Sequence, residues 1–180
     1  MAIVASVSEL EIRPARAGDA AAVAAIYNDG IEDRLATFET RARTPGEIEA
    51  WLEDGLPFIV AVAGEEVVGF ARVSPYSDRC VYEGVGEHAV YVARRARGGG
   101  IGRRLLAAVC DEAERAGLYK LTSRVFTDNA ASRAAHLAAG FVEVGVQRRH
   151  GRLDGRWKDC VLVERLLGEA AAAPGRTSAG

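Results

Sequence analysis

Apolar residues recur along this chain at two periods, and the changes of period mark its elements. Leu10 to Arg13 alternates apolar with charged positions, as a half-buried strand does, and Pro14 closes it. Val23, Ile26 and Ile31 then repeat at helical spacing. Asp19 precedes them with a carboxylate suited to accept from the free N–H groups of a first turn, so a helix is expected through about Gly30. A loop from Asp33 to Arg43 contains Thr37-Phe38-Glu39-Thr40. Thr44-Pro45-x-Glu47 reads as a capping box with proline at the first helical position. The helix behind it carries Ile48, Trp51 and Leu52 on one face and stops near Gly55.

The unbroken apolar run Phe58 to Ala63 predicts a strand. Gly64-Glu65-Glu66 turns the chain, and Val67 to Ser74 returns as its hairpin partner. Pro75 to Gly86 is a connection holding Tyr76, Cys80 and Tyr82, and His88 to Val92 is the next strand. From Ile101 to about Ala116, Leu105, Leu106, Val109 and Ala113 share one face of a long amphipathic helix, which Gly117 ends. Tyr119 to Phe126 is a strand, Asn129 to Ala139 a small-residue helix closed by Gly140, and Phe141 to Val146 another strand. A polar loop, Gln147 to Arg156, precedes the last strand, Cys160 to Leu166.

The order β-α-α-β-β-β-α-β-α-β-β lacks the strict alternation of a doubly wound parallel sheet. It predicts an α/β fold with a mixed, mostly antiparallel central sheet and helices on both faces. One domain is expected over 10–167, with a flexible N-terminus, 1–9, and a disordered Ala- and Gly-rich tail, 168–180.

Composition adds exclusions. Of the 180 residues 49% are hydrophobic and 27% charged, ordinary values for a soluble globular chain. A net charge of -2 argues against a general nucleic-acid binder. Cys80, Cys110 and Cys160 form no CxxC pair, which fits a reducing, cytoplasmic setting better than a disulfide framework. No secretory signal or apolar run near the ~20 residues of a membrane span is seen. His88, His136 and His150 show no metal-ligand spacing, so no metal is expected.

Val90-Tyr91-Val92 followed by Arg97-Gly98-Gly99-Gly100-Ile101-Gly102-Arg103 is a strand, a basic glycine-rich turn and a helix start. Unpaired N–H groups and the helix dipole make such a turn an anion site. No Gly-Lys-Ser/Thr follows, which excludes a P-loop. The glycine spacing and strand order are wrong for a dinucleotide fold. A coenzyme A pyrophosphate needs the same cradle, and Arg97-x-x-Gly100-x-Gly102 suits it.

At these residues the chain resembles the GCN5-related N-acetyltransferase superfamily, from about Leu10 to Leu166. Within it, five segments resemble the phosphinothricin and arsinothricin N-acetyltransferase group. They are Ile26-Tyr27-Asn28, Thr37-Phe38-Glu39-Thr40, Glu87-His88-Ala89-Val90-Tyr91-Val92, His136 followed by Gly140-Phe141, and Gly155-Arg156-Trp157-Lys158-Asp159. The resemblance implies the acyl-CoA N-acyltransferase fold and acetyl-CoA as cosubstrate. It also implies a homodimer in which loops of one subunit touch the other's site.

An ammonium must lose a proton before its nitrogen attacks a thioester, and a carboxylate or histidine can take it. The resemblance sets Glu87 at the catalytic glutamate and His136 where many relatives carry a tyrosine acid; which of the two is the principal base stays open. His88, its neighbour on the strand, is expected on the opposite face in a structural or surface role. A backbone N–H along Val90 to Val92 is the expected oxyanion donor. Asn129 resembles a helix-start residue contacting the pantetheine or phosphate region of CoA, and is also an ordinary N-cap.

Acceptors of the phosphinothricin kind carry an α-carboxylate and a second anionic group, so arginines should line their pocket. Arg72, Arg148, Arg149 and Arg152 are candidates, with Phe38, Tyr76 and Trp157 as walls. Leu153 and the segment from Tyr82 to Gly86 depart from the group's pattern. The expected activity is acetylation of the α-amine of phosphinothricin, arsinothricin or methionine sulfoximine, conferring resistance. The rivals are another small amine, a protein N-terminus, or a non-catalytic acyl-CoA-binding module.

Overall fold

The computed structural model describes residues 10–172. The segment 1–9 expected to be flexible, and 173–180 of the expected tail, lie outside the described residues. Gly168–Ala172, assigned above to that tail, forms a short helix that follows the buried Leu167.

Strands β1 (Leu10–Pro14), β2 (Phe58–Ala63), β3 (Glu66–Pro75), β4 (Val85–Val92), β5 (Lys120–Phe126), β6 (Val142–Leu153) and β7 (Arg156–Leu166) form a single sheet. Their order is β1-β2-β3-β4-β5-β7-β6. Every neighbouring pair is antiparallel except β4 with β5, which are parallel.

Helices cover both faces. On one lie α1 (Ala20–Asp33) and α2 (Pro45–Glu49), which bury Val23, Ile26 and Ile48 against Val60, Val62 and Phe70. On the other lie α3 (Ile101–Arg115) and α4 (Ala130–Ala138); Leu105, Leu106, Val109 and Ala113 pack on Ile59, Ala61, Ala71 and Val73. This double cover explains why Phe58 to Ala63 is apolar throughout rather than alternating. Each fully buried leucine of α3 contributes roughly 2 kcal/mol of transfer free energy.

Local signals place the helix starts with one exception. The Thr44 hydroxyl accepts from Glu47 N–H and the Glu47 side chain returns to Thr44 N–H, completing the capping box. Asp19 occupies the N-cap of α1, but its carboxylate does not accept from that helix. It takes two bonds from Arg13 and one from Arg16 N–H, and the Arg13 guanidinium holds it below the usual carboxylate range.

Two spans differ from the sequence reading. β4 starts at Val85, three residues before His88, because Gly86 packs inside the sheet. A Cβ there would lie 2.4 Å from Val73 Cγ1, so this glycine marks close strand contact rather than a loop. The expected polar loop from Gln147 to Arg156 is a long β6–β7 hairpin turning at Asp154 and Gly155, both at positive φ. β6 is an edge strand exposed along most of its length, so its polar residues hide a strand from hydrophobic patterning.

The sheet opens in its middle. The β4–β5 ladder holds only Val85 to Glu87 against Lys120 to Thr122, and beyond it the two strands line a cavity.

Candidate active site

Between the C-terminal half of β4, the N-terminus of α3 and one face of α4 runs a cleft of about 600 Å³. The first bond of α3 joins Arg104 N–H to Gly100 O at 3.2 Å, so the amides of Ile101, Gly102 and Arg103 have no partner within the helix. Gly98 and Gly100 stand at φ 82° and 79°, where a side chain is strained, and a Cβ on either would meet nothing within 4 Å. The turn thus offers bare amides to an open cleft, as a pyrophosphate requires. Gly98, Gly100, Ile101, Gly102 and Arg103 all line it, whereas Gly99 does not.

Two expected ligands are already committed. Arg97 donates from Nε to Val92 O at 3.0 Å and pairs through Nη1 with Asp33 at 2.7 Å, so its charge is answered within the protein. The Asn129 carbonyl caps α4 through Ser132 N–H, and its amide donates to Leu35 O at 2.9 Å. Both still line the cleft. The opposite wall is formed by Ala131, Ala134, Ala135 and Ala138. Sequence reasoning missed this wall, although its i, i+3, i+4, i+7 alanine spacing is legible.

Where β4 leaves β5, a small pocket joins this cleft to a larger cavity; Val90, Asn129 and Ser132 belong to pocket and cleft alike. Val92 O, taken by Arg97, points into the gap, while Ala93 N–H bonds to Val68 O on β3. Residues two apart share a direction, so the N–H groups of Val90 and Val92 face the gap and that of Tyr91 faces β3. Tyr91 instead brings its ring to cleft, pocket and cavity, stacked on Phe70 at 5.3 Å. Burial pushes its phenol well above the ordinary range.

His136 Nδ1 lies 2.7 Å from Ser132 O, which requires a proton on Nδ1. Neutral His136 then accepts at Nε2, and His88 Nε2, 2.9 Å away, is the donor. This tautomer is assigned from the network. His88 Nδ1 is buried without a hydrogen-bond partner among the described residues, consistent with a bare lone pair there. Both rings are buried. Burial, with His136 beside it, lowers His88 to about 3, and burial also lowers His136. His88 is therefore structural, as expected, but it occupies the one nitrogen through which His136 could exchange a proton with the pocket.

Glu87 lies on the other face of β4. It is paired with Ser74 of β3 and opens on a cavity of about 740 Å³ that Arg72, Phe38 and Tyr27 also line. Arg72 reaches Asp54 at 2.7 Å and lies 4.2 Å over the Trp51 ring; burial lowers its pKa against the pull of Asp54. Phe38 meets Phe126 edge-on at 4.8 Å and fills the space above Gly151, where a Cβ would come within 2.6 Å of its ring. Arg124, which the sequence did not single out, bonds Glu87 Oε1 at 2.9 Å and lines the same cavity.

Three expected wall residues are not brought to this cavity by their own chain. Tyr76 packs against Tyr82 on the surface. Arg152 lies 4.2 Å over the half-exposed Trp157 ring, out on the β6–β7 hairpin. The β6–β7 hairpin, expected as a loop, holds Arg152 and Trp157 away from the residues that line the cavity.

A cleft of free amides at a helix start, opening through a split sheet onto a carboxylate-bearing cavity, defines a group transferase that draws on a phosphate-bearing carrier. The model of the acetyltransferase (GNAT) family matches residues 23–141. The chain belongs to that family and is an acetyl-CoA-dependent N-acetyltransferase. It is 34% identical over 168 residues to the phosphinothricin N-acetyltransferase of Streptomyces coelicolor, covering 89% of this chain and 98% of that one. It is 32% identical to the L-methionine sulfoximine/L-methionine sulfone acetyltransferase of Pseudomonas aeruginosa, covering 91% and 98%. Among solved structures, an acetyltransferase of Salmonella typhimurium with its cofactor acetyl-CoA superposes with a TM-score of 0.86 at 30% identity, covering 92% and 98%. A ribosomal-protein-alanine N-acetyltransferase of Brucella melitensis superposes with a TM-score of 0.83 at 38% identity, covering 87% and 99%. Among the described residues no helix is long and apolar enough to cross a membrane.

Proposed function

We propose that this enzyme acetylates the α-amino group of a small, anionic, amino-acid-like toxin of the phosphinothricin, arsinothricin or methionine sulfoximine class, and so confers resistance. The observation that carries the reading is the shared cavity of Glu87 and Arg72: a carboxylate to meet an ammonium, and a guanidinium to meet an anion. Acetylation removes the basic nitrogen by which such a compound mimics an amino acid.

Acetyl-CoA supplies an acyl group activated as a thioester. The amides of Ile101, Gly102 and Arg103 and the free edge of β4 are the groups that hold it. Glu87 takes the ammonium proton on the acceptor side, where its carboxylate is half exposed. The N–H groups of Val90 and Val92, fixed by the β3 pairing, donate to negative charge developing on a carbonyl oxygen in the gap. His136 lies on the cofactor side of β4 with both ring nitrogens engaged, so it shapes the pocket wall beside the thioester and leaves the acceptor's proton to Glu87.

The enzyme acts in the cytoplasm as a homodimer on this reading. Free Cys80, Cys110 and Cys160 suit a reducing compartment. Val142, Val144 and Val146 are exposed apolar residues of edge strand β6, which supports a paired state. On this reading Arg152 and Trp157, which do not line their own cavity, serve the partner's.

The deciding experiment is an acceptor panel with free CoA read by a thiol reagent. It includes L-phosphinothricin, arsinothricin, L-methionine sulfoximine, a polyamine and an alanine-initiated peptide. Turnover confined to the first three supports the proposal; turnover on none of those three overturns it.

A further inference from the structure

Glu87 and Arg124 form an ion pair on the wall of the acceptor cavity, Arg124 Nη1 lying 2.9 Å from Glu87 Oε1. It bridges β4 and β5 at the point where their ladder ends. Arg124 Nε is fixed by Gln147 Oε1 at 3.2 Å. Glu87 Oε2 and Arg124 Nη2 have no hydrogen-bond partner among the described residues. The two side chains are 38% and 29% exposed, so each keeps an open side toward the cavity they line.

A guanidinium has five N–H bonds and a carboxylate two oxygens, so one contact between them leaves capacity on both. Adjacent opposite charges with one open donor and one open acceptor complement a ligand whose own opposite charges are adjacent. The headgroup of an α-amino acid is such a ligand, with ammonium and carboxylate on one carbon. Its ammonium meets Glu87 Oε2 while its carboxylate meets Arg124 Nη2. A simple amine or a peptide N-terminus presents the cation without the anion and leaves Arg124 unanswered. Arg72 is not the equivalent group: it bonds Asp54 rather than Glu87, and in the same cavity it is left to the acceptor's second anionic group.

We infer that Arg124 is the residue that reads the acceptor's α-carboxylate, and that through its bond to Glu87 it sets the amine on the base. The inference rests on the proposed α-amine acceptor and deepens it by naming the group that makes the α-carboxylate a requirement.

The test takes whichever of L-phosphinothricin and L-methionine sulfoximine turns over faster and compares its kcat/KM with that of its α-carboxamide. Wild type, Arg124→Gln and Arg124→Lys are measured as full-length chains. Wild type favours the acid by on the order of 10- to 100-fold, the worth of a charge-assisted hydrogen bond. Arg124→Gln brings the ratio near unity by losing rate on the acid, and Arg124→Lys keeps part of it. The carboxamide's weaker amine basicity is common to all three enzymes and cancels between ratios. A residue that merely braced β4 against β5 would lower both rates and leave the ratio in place, and that result overturns the inference. Equal turnover of acid and carboxamide by wild type also overturns it, and needs no variant to fold. Failure of the functional reading looks different: wild type acetylates the polyamine or peptide and neither amino acid, which overturns both.

Discussion

The imidazoles of His88 and His136 meet Nε2 to Nε2 at 2.9 Å, joining β4 to α4 on the side of the sheet opposite Glu87. Both are held neutral by burial, His88 with a pKa near about 3 against 6.5 when unfolded. Between those values the unfolded chain binds more protons than the folded one. Stability from this pair is therefore complete above about 6.5 and is lost as pH falls toward about 3. The slope is up to about one bound proton for His88, and His136 adds to it in the same direction. Thermal midpoints should decline on acidification through this window, and His88→Leu should remove about one proton from the slope. A midpoint independent of pH there contradicts a neutral buried pair.

Glu87→Gln retains an oxygen for Arg124 but cannot take a proton. Turnover should fall by roughly 10²- to 10⁴-fold, the usual contribution of general-base catalysis. Acetyl-CoA affinity, measured by calorimetry, should not change, since Glu87 lies outside the cofactor cleft. A loss of turnover below that range would pass the base role to another group.

Neighbouring glycines of the turn should respond differently. Gly100→Ala forces a side chain into left-handed backbone, at a cost of about 1–2 kcal/mol, and places its methyl in the cleft. Acetyl-CoA affinity and the melting temperature should both fall. Gly99 has neither a positive φ nor a place in the lining, so Gly99→Ala should leave affinity close to wild type. Equal effects at the two positions would contradict this amide cradle.

Gly151→Ala would set a methyl 2.6 Å from the Phe38 ring and displace it, an overpacking cost of about 1–3 kcal/mol. Phe38 lines the acceptor cavity and not the cofactor cleft. The acceptor KM should rise while the acetyl-CoA KM holds, as steady-state kinetics with each substrate varied would show.

What the sequence displayed follows the strength of local signals. The strand Phe58 to Ala63 and the α3 face of Leu105, Leu106, Val109 and Ala113 are legible because burial on one or both sides demands apolar residues there. The β6–β7 hairpin is not, because an exposed edge strand needs no apolar alternation. Glu87, His136 and the glycine turn stand out as residues of familiar chemistry in a familiar order. Arg124 does not: its meeting with Glu87 across 37 positions depends on the β4–β5 register, which no local pattern encodes. His88 could be sided by strand alternation, yet its bond to His136 needed the placement of α4.

The clasp of Asp33 on Arg97 bears on how the enzyme responds to its ionic surroundings. With that guanidinium answered inside the protein, much of what faces a phosphate is oriented peptide amide, with Arg103 the one cation of the turn that has no ion-pair partner among the described residues. Amide dipoles act over short range, and dissolved ions screen them far less than they screen distant exposed charges. Cofactor retention should thus vary little with salt. Acceptor capture, if it uses the partly exposed guanidinium of Arg124 as proposed, should weaken as salt rises, so ionic strength tunes how readily the acceptor is taken rather than whether the enzyme is charged with its acyl donor.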